Sequence, residues 1–190
     1  MTFNKAATFV IIALAAILPM SMLFQGQGQI SVINGALTGV TTVPNYWPMG
    51  EITMIGNASA TDIVDQSTEY LVAGTTTLTS GVVSFDMPQD NRLRYTGTTT
   101  ALMHVACTMS YTVASGANQE LEFKIYKNGS PIAASEIVDA CSAAAGAESS
   151  AIHVFVSMAT NDYLELYCAN NSGTGDITVR TMNLFALGMR

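Results

Sequence analysis

The amino-acid sequence predicts an all-β protein, an antiparallel jelly-roll β-sandwich, preceded by a hydrophobic segment that also suits a helix. From residue 51 onward, short stretches with an apolar residue at every second position recur about every ten residues, separated by turn-forming residues. No stretch there has the apolar spacing of an amphipathic helix. Charged residues make up 11% of the chain, against about 25% in typical globular proteins, which favours strands packed through apolar and hydroxyl side chains.

The first strand-like stretches are short. EITMIG, EYLVAG, VVSFDM and RLRY each fit one strand, and PQDN at residues 88–91 fits a polar turn between the last two. Together with the later stretches they predict about eight to ten strands, and long connections between them favour a jelly roll over a meander.

The later stretches are longer and alternate more regularly, so each predicts one face turned to the core. Asn128-Gly129 predicts a tight hairpin turn, because this dipeptide adopts positive φ readily. In DYLELYCA, Glu165 is expected to face solvent between buried neighbours. The predicted core side chains are Met103, Val105, Cys107, Met109 and Tyr111; Leu121, Phe123 and Ile125; Ile152, Val154, Val156 and Met158; and Leu164, Leu166 and Cys168.

The last strand is apolar on both faces. Ile177 and Val179 alternate with polar residues, but apolar side chains then occupy both faces from Met182 to Leu187. One face serves the domain core. The other face must also be covered, either by a partner copy or because the strand is a central strand of a monomeric sandwich. The first alternative predicts a homotrimer with Met182, Leu184, Phe185 and Leu187 at its interface.

The chain before the sandwich divides into two parts. Residues 1–24 form a hydrophobic segment, and residues 25–50 form a tether rich in Gly, Gln and Thr before the head domain at 51–190. The hydrophobic segment fits a signal peptide, a membrane anchor or a plug buried in protein. If it is an anchor or plug, its contacting side chains are Phe9, Val10, Ile11, Ile12, Leu14, Ile17 and Leu18.

The residues offer little for catalysis. The two histidines, His104 and His153, face away from the most apolar positions, and no nucleophile motif surrounds Cys107. No known catalytic or phosphate-binding motif occurs, so we expect neither an enzyme nor a cofactor. The formal net charge of −7 argues against nucleic-acid binding.

Metal and disulfide sites are weakly indicated. Loop oxygens of Asp90, Asn91, Asn161 and Asp162 lack calcium-loop spacing and are more typical of Asx turns, so no metal is expected. Cys107, Cys141 and Cys168 are too widely spaced for a zinc site. They suit either one disulfide with a spare thiol or, for Cys107 and Cys168, burial as small apolar side chains.

Three segments together carry a family resemblance: RLRYTGTTTALMHVACTMSYT, LEFKIYKNGSPIAASEI and VSMATNDYLELYCANNSGTGDITVRTMNLFALGM. They resemble the TNF/C1q-like trimeric jelly-roll domains of bacteriophage and other viral structural proteins, such as head fibres, capsid decoration proteins and tail-associated knobs. The resemblance covers residues 51–190. The hydrophobic N-terminus departs from it, because such proteins more often carry a coiled coil or fibre module there.

The resemblance implies a homotrimer on the virion surface that contacts other capsid or tail proteins, and a host-surface ligand is a further expected partner. Loops 113–118 and 139–149 are then expected to present small polar residues outward. The N-terminal segment provides a route to membrane contact. The alternative is a secreted or membrane-anchored extracellular C1q-like binding protein that recognises a glycan or a protein.

Overall fold

The computed structural model describes residues 29–33, 36–41 and 47–189. Strands β1 (Gln29–Ile33) and β2 (Ala36–Thr41) form an antiparallel pair by themselves. The hydrophobic segment 1–24, with its predicted helix and anchor side chains, lies outside the described residues. Within the described residues, no helix is long and apolar enough to cross a membrane.

The second compact unit begins at Trp47 and contains the sandwich. Its single helical element among the described residues is the short 3-10 turn Ala133–Ser135. Its strands are β3 (Met49–Met54), β4 (Tyr70–Leu71), β5 (Thr77–Leu78), β6 (Phe85–Asp86), β7 (Leu93–Tyr95), β8 (Ala101–Val113), β9 (Gln119–Lys127), β10 (Ser130–Pro131), β11 (Ile137–Cys141), β12 (Glu148–Met158), β13 (Tyr163–Asn170) and β14 (Ile177–Met189).

These strands form two antiparallel sheets. The five-stranded sheet has the order β12-β8-β14-β3-β5. The seven-stranded sheet has the order β10-β9-β13-β7-β6, with β11 also paired to β9 and β4 to β13. From β11 onward the chain crosses from one sheet to the other at every step, which is the connectivity of a jelly roll. The all-β antiparallel sandwich predicted from the sequence is therefore confirmed.

The core lies between the sheets and follows the alternation in the sequence. All the side chains predicted for the core from β8, β9, β12 and β13 are buried. Because successive side chains of a strand point to opposite faces, the long strands each contribute every second residue to this layer. Tyr111 and Phe123 pack across it with ring centroids 4.5 Å apart.

The predicted hairpin turn is present between β9 and β10. Asn128 and Gly129 have φ values of 53° and 74°, the left-handed conformations that a two-residue hairpin turn requires. The Asn128 side chain also donates to Asp162 Oδ1 at 2.7 Å and accepts from the Tyr163 backbone N–H at 2.9 Å. The turn is therefore fastened to the neighbouring strand β13.

The expectation for Glu165 is wrong. Its side chain is only 2% exposed, although it points to the outer side of the seven-stranded sheet. Arg92 covers it and donates from Nε and Nη2 to Oε1 at 2.9 and 2.7 Å. Burial of this carboxylate is possible because it is ion-paired and hydrogen-bonded.

The three cysteines are buried free thiols. Burial raises the pKa of Cys107 and of Cys168 to about 12. A thiol at that value stays protonated near neutral pH, so these two side chains act as small apolar core residues. No disulfide joins the three.

Candidate oligomer interface

The outer face of the five-stranded sheet has an apolar end, which we call the apolar face. The strand register places Phe155, His104, Leu187 and Met49 in one row across four strands. The row on one side of it contains Leu102 and Met189. The row on the other side contains His153, Phe185 and Glu51. Phe155 is 60% exposed and Leu102 is 50% exposed, so large apolar side chains meet solvent here in neighbouring positions.

A β-bulge in β14 determines which side chains reach this face. The register against β8 shifts between Val179 and Thr181, so Arg180 is an extra residue in β14. Such a bulge reverses the alternation beyond it. Val179 is buried before the bulge, whereas after it Phe185 and Leu187 point outward and are only partly buried.

Because the bulge determines which side chains of β14 point outward, the predicted interface is wrong for two of its four residues. Met182 and Leu184 are 3% and 0% exposed within a single copy, where they belong to the domain core. They are therefore not accessible to a partner. Of the four residues predicted, only Phe185 and Leu187 lie on the outer face, and their role in an interface stays a prediction.

Both histidines of the chain lie on the apolar face. Their ring centroids are 6.0 Å apart, and the His104 ring is also 5.4 Å from that of Phe155. Neither histidine forms an ion pair within the described residues. Sequence reasoning placed both side chains opposite the core, but it could not place them next to each other.

The opposite end of the same sheet face is polar. Thr108, Ser110, Thr181 and Asn183 occupy neighbouring register positions there. They belong to the lining of an open groove of about 590 Å³. Ser110 Oγ and Thr181 Oγ1 are hydrogen-bonded at 2.6 Å. The face therefore changes from apolar to hydroxyl-lined along the strands.

The outer face of the seven-stranded sheet, which we call the charged face, is different. Lys124 Nζ lies within 3.0 Å of carboxylate oxygens of Glu69, Glu122 and Glu136. Burial alone would lower the pKa of Lys124, but the hydrogen bonds that its ammonium donates to the carboxylates outweigh this effect, and the pKa is raised. Lys124 therefore stays charged and holds the three acidic side chains together.

Aromatic side chains complete the charged face. The rings of Tyr126 and Tyr167 stack with centroids 3.8 Å apart. The Arg92 guanidinium lies 3.9 Å from the centroid of the Tyr163 ring while it pairs with Glu165. The polar groups of this face thus satisfy one another within one copy.

The residues weighed for catalysis and for metal binding have other contacts in the structure. His104 points outward and Cys107 points into the core, so the two are on opposite sides of β8. Asp90 Oδ1 accepts from the Thr76 backbone N–H, and Asp162 Oδ2 accepts from that of Ala159. Among the described residues, no group of three His, Cys, Asp or Glu side chains could hold a metal ion.

The topology defines the class of fold, an antiparallel jelly-roll β-sandwich. No protein-family model matches the chain, and no curated protein matches it in sequence. Among solved structures, vertex protein P5 of bacteriophage PRD1 is similar with a TM-score of 0.51 at 6% identity, over 88% of this chain and 84% of that chain.

Two further similar structures belong to TNF-like proteins. Murine APRIL at pH 5.0 gives a TM-score of 0.49 at 6% identity, covering 74% of this chain and 99% of that chain. Rabbit GITRL gives 0.44 at 11% identity, covering 73% and 93%. At such low identity, a structural likeness describes the fold and not the function.

Proposed function

We propose that this chain is a structural protein of a virus particle, a homotrimeric jelly-roll module that decorates the capsid or tail. The exposed apolar face is the observation that carries this proposal. Soluble monomers rarely expose neighbouring large apolar side chains, and such patches are typical of interaction sites. A second and third copy of the same chain are the occupants that closed symmetry favours.

Electrostatics support self-association at this face. Charged residues are depleted at the centre of protein interfaces. Glu51 is the acidic residue in the rows of the apolar face, and it accepts a hydrogen bond from Asn183. A copy docking here would remove apolar side chains from water, and the carboxylate of these rows keeps its hydrogen bond from Asn183. The trimer itself follows from the resemblance of residues 51–190 to TNF/C1q-like trimers.

The position of the exposed loops fits a displayed module. β8 runs from the apolar end of its sheet at Leu102 to the polar end, and the exposed loop 114–118 follows it. The Ala143 backbone N–H donates to the Gly116 carbonyl at 3.0 Å, which joins this loop to the exposed loop 142–147. These loops are shorter than predicted, because Val113 and Cys141 are buried ends of strands.

In this proposal the loops at the polar end face outward for contact with a host surface. The virion role is supported by the resemblance in sequence and by the shared fold of the PRD1 vertex protein. The hydrophobic segment 1–24 would attach the trimer to other capsid or tail proteins or to a membrane.

The assembly can be tested with the double variant Phe185→Asp/Leu187→Asp. Both side chains are on the apolar face, so two carboxylates there should prevent association while leaving the core of each copy intact. Light scattering of the full chain in mild detergent should give three times the monomer mass for the parent and the monomer mass for the variant. Ser149→Asp, at the polar end of the face, is the matched control and should remain trimeric.

An unchanged mass of the Asp variant, with a folded circular-dichroism spectrum, would contradict the interface. The virion role has a separate test: intact-mass analysis of the protein in its natural particle. Co-purification with capsid proteins and retention of the first residues would support it. A trimer trimmed near residue 25 and free in solution would instead support the secreted binding protein.

A further inference from the structure

We propose that His104 and His153 make self-association of the apolar face dependent on pH, so that the oligomer forms at neutral pH and separates in mild acid. This inference rests on the proposed function, because it requires the apolar face to be the contact between copies. It adds a regulatory property that assembly alone does not imply.

The placement of the two histidines carries the inference. The strand register puts His104 in the same row as Phe155 and Leu187. It puts His153 in the next row, on the other side of Ala106 from Phe185. The two rings are 6.0 Å apart. A second copy that covers these apolar side chains also covers both imidazoles. In a trimer six imidazoles, two from each copy, would then be removed from water.

A neutral imidazole tolerates such a location and an imidazolium does not, unless a carboxylate compensates its charge. Among the described residues, no carboxylate forms an ion pair with either imidazole. On β3, Glu51 accepts from the Asn183 amide. Glu136 lines the small cleft beside His153, but its Oε2 lies 3.0 Å from Lys124 Nζ.

The remaining neighbours offer no compensation either. Lys127 Nζ donates to the Ser157 carbonyl at the end of β12 and pairs with Asp162 at 3.4 Å, and its charge has the wrong sign. The outer-face side chains of β14 from Thr181 to Met189 are uncharged. Two imidazolium groups 6.0 Å apart would also repel each other.

The direction of the pH effect follows from proton linkage. Imidazole takes up a proton near pH 6.5, and the separated chain, whose rings are in water, binds protons more readily than the assembled one. Association is therefore strongest above this range and weakens as the pH falls through it. Between pH 7.5 and 5.5 the trimer dissociation constant should increase on the order of 100-fold or more.

The test compares the full chain with the variant His104→Gln/His153→Gln at pH 7.5 and 5.5. Glutamine keeps a neutral polar side chain and removes the titration. Analytical ultracentrifugation in mild detergent should show a trimer for both proteins at pH 7.5. At pH 5.5 the parent should dissociate and the variant should not. Circular dichroism at both pH values checks that each chain remains folded.

The two single variants, His104→Gln and His153→Gln, should each reduce the pH effect, and they provide the same comparison if the double variant does not fold. A parent trimer with the same dissociation constant at both pH values would overturn the pH dependence and leave the proposed assembly intact. Equal dissociation of parent and variant in acid would overturn it too. A parent that is monomeric at pH 7.5 would instead contradict the proposed assembly, and with it this inference.

Discussion

The outer faces of the two sheets differ in how their side chains are accommodated. On the charged face, Arg92 pairs with Glu165 within a single copy, Lys124 pairs with three glutamates, and two tyrosine rings stack on each other. On the apolar face, Phe155 and Leu102 are left largely in water. The first face is complete in one copy and the second is not. From this difference we expect the charged face to contribute to the stability of the domain and, under the proposed function, the apolar face to serve association.

The largest expected effect separates the two sides of strand β14. Leu184→Ala removes a fully buried core side chain and should lower the free energy of unfolding by about 4 kcal/mol. Leu187→Ala, on the apolar face, should change it only through association. Chemical denaturation at two protein concentrations distinguishes them: the Leu187→Ala loss should grow with concentration, and the Leu184→Ala loss should not. Equal, concentration-independent losses would show that the apolar face is part of the fold.

A second effect concerns the charged face. Arg92→Met leaves the buried Glu165 carboxylate without its partner and should cost about 3 kcal/mol of unfolding free energy. Arg94→Met is the matched control, because Arg94 and Asp86 form a similar pair that is 34% and 40% exposed. It should cost clearly less than Arg92→Met, because water screens an exposed ion pair. Urea denaturation of both variants measures the difference, and equal losses would remove the distinction between the two pairs.

The double variant Arg92→Met/Glu165→Leu sharpens the second prediction. Replacing both partners removes the uncompensated carboxylate, so much of the stability lost in Arg92→Met should return. A double variant that is less stable than Arg92→Met would show instead that the ion pair itself, and not the cost of an unpaired charge, stabilises the charged face.

The smallest expected effect concerns the stability of the folded domain at low pH. The hydrogen bond from Arg94 lowers the pKa of Asp86, and hydrogen bonds from Tyr111 and then Ser150 lower that of Asp139. Because these folded-state pKa values are depressed, the stability they provide is present above the ordinary aspartate range, near pH 4, and is lost as the pH falls below it. The domain should therefore remain folded at pH 5.5, where we expect dissociation.

Denaturation from pH 6 to pH 3 tests this separation. Asp139→Asn should lessen the loss of stability below about pH 4, and it should leave any dissociation near pH 6 unchanged. If the parent domain unfolds at the same pH at which its copies separate, the two faces do not respond to acid independently.

Most of the fold could be predicted because alternation in a strand depends only on local sequence. The core side chains of β8, β9, β12 and β13 and the turn at Asn128-Gly129 were found in this way. The burial of Glu165 could not be predicted, since it depends on Arg92, which lies on a distant part of the chain and folds over it. The sequence around a charged residue in an alternating stretch does not indicate whether such a partner exists.

The interface was predicted only in part for a different reason. The apolar character of Met182–Leu187 on both faces is visible in the sequence, but the face each side chain takes depends on the bulge at Arg180. A bulge of one ordinary residue has no reliable sequence signal when no glycine marks it. The proximity of the His104 and His153 rings likewise depends on the register between β8 and β12, which is a tertiary property.

The pairing of β3 with β14 has a consequence for synthesis. β14 lies between β8 and β3 at the centre of its sheet, although residues 177–189 are made long after residues 49–54. Until β14 has been made and pairs with them, β3 and β8 each have one unpaired edge. Such distant pairings slow folding, and unpaired edges are open to aggregation. We therefore expect the insertion of β14 between β8 and β3 to be a slow step of folding.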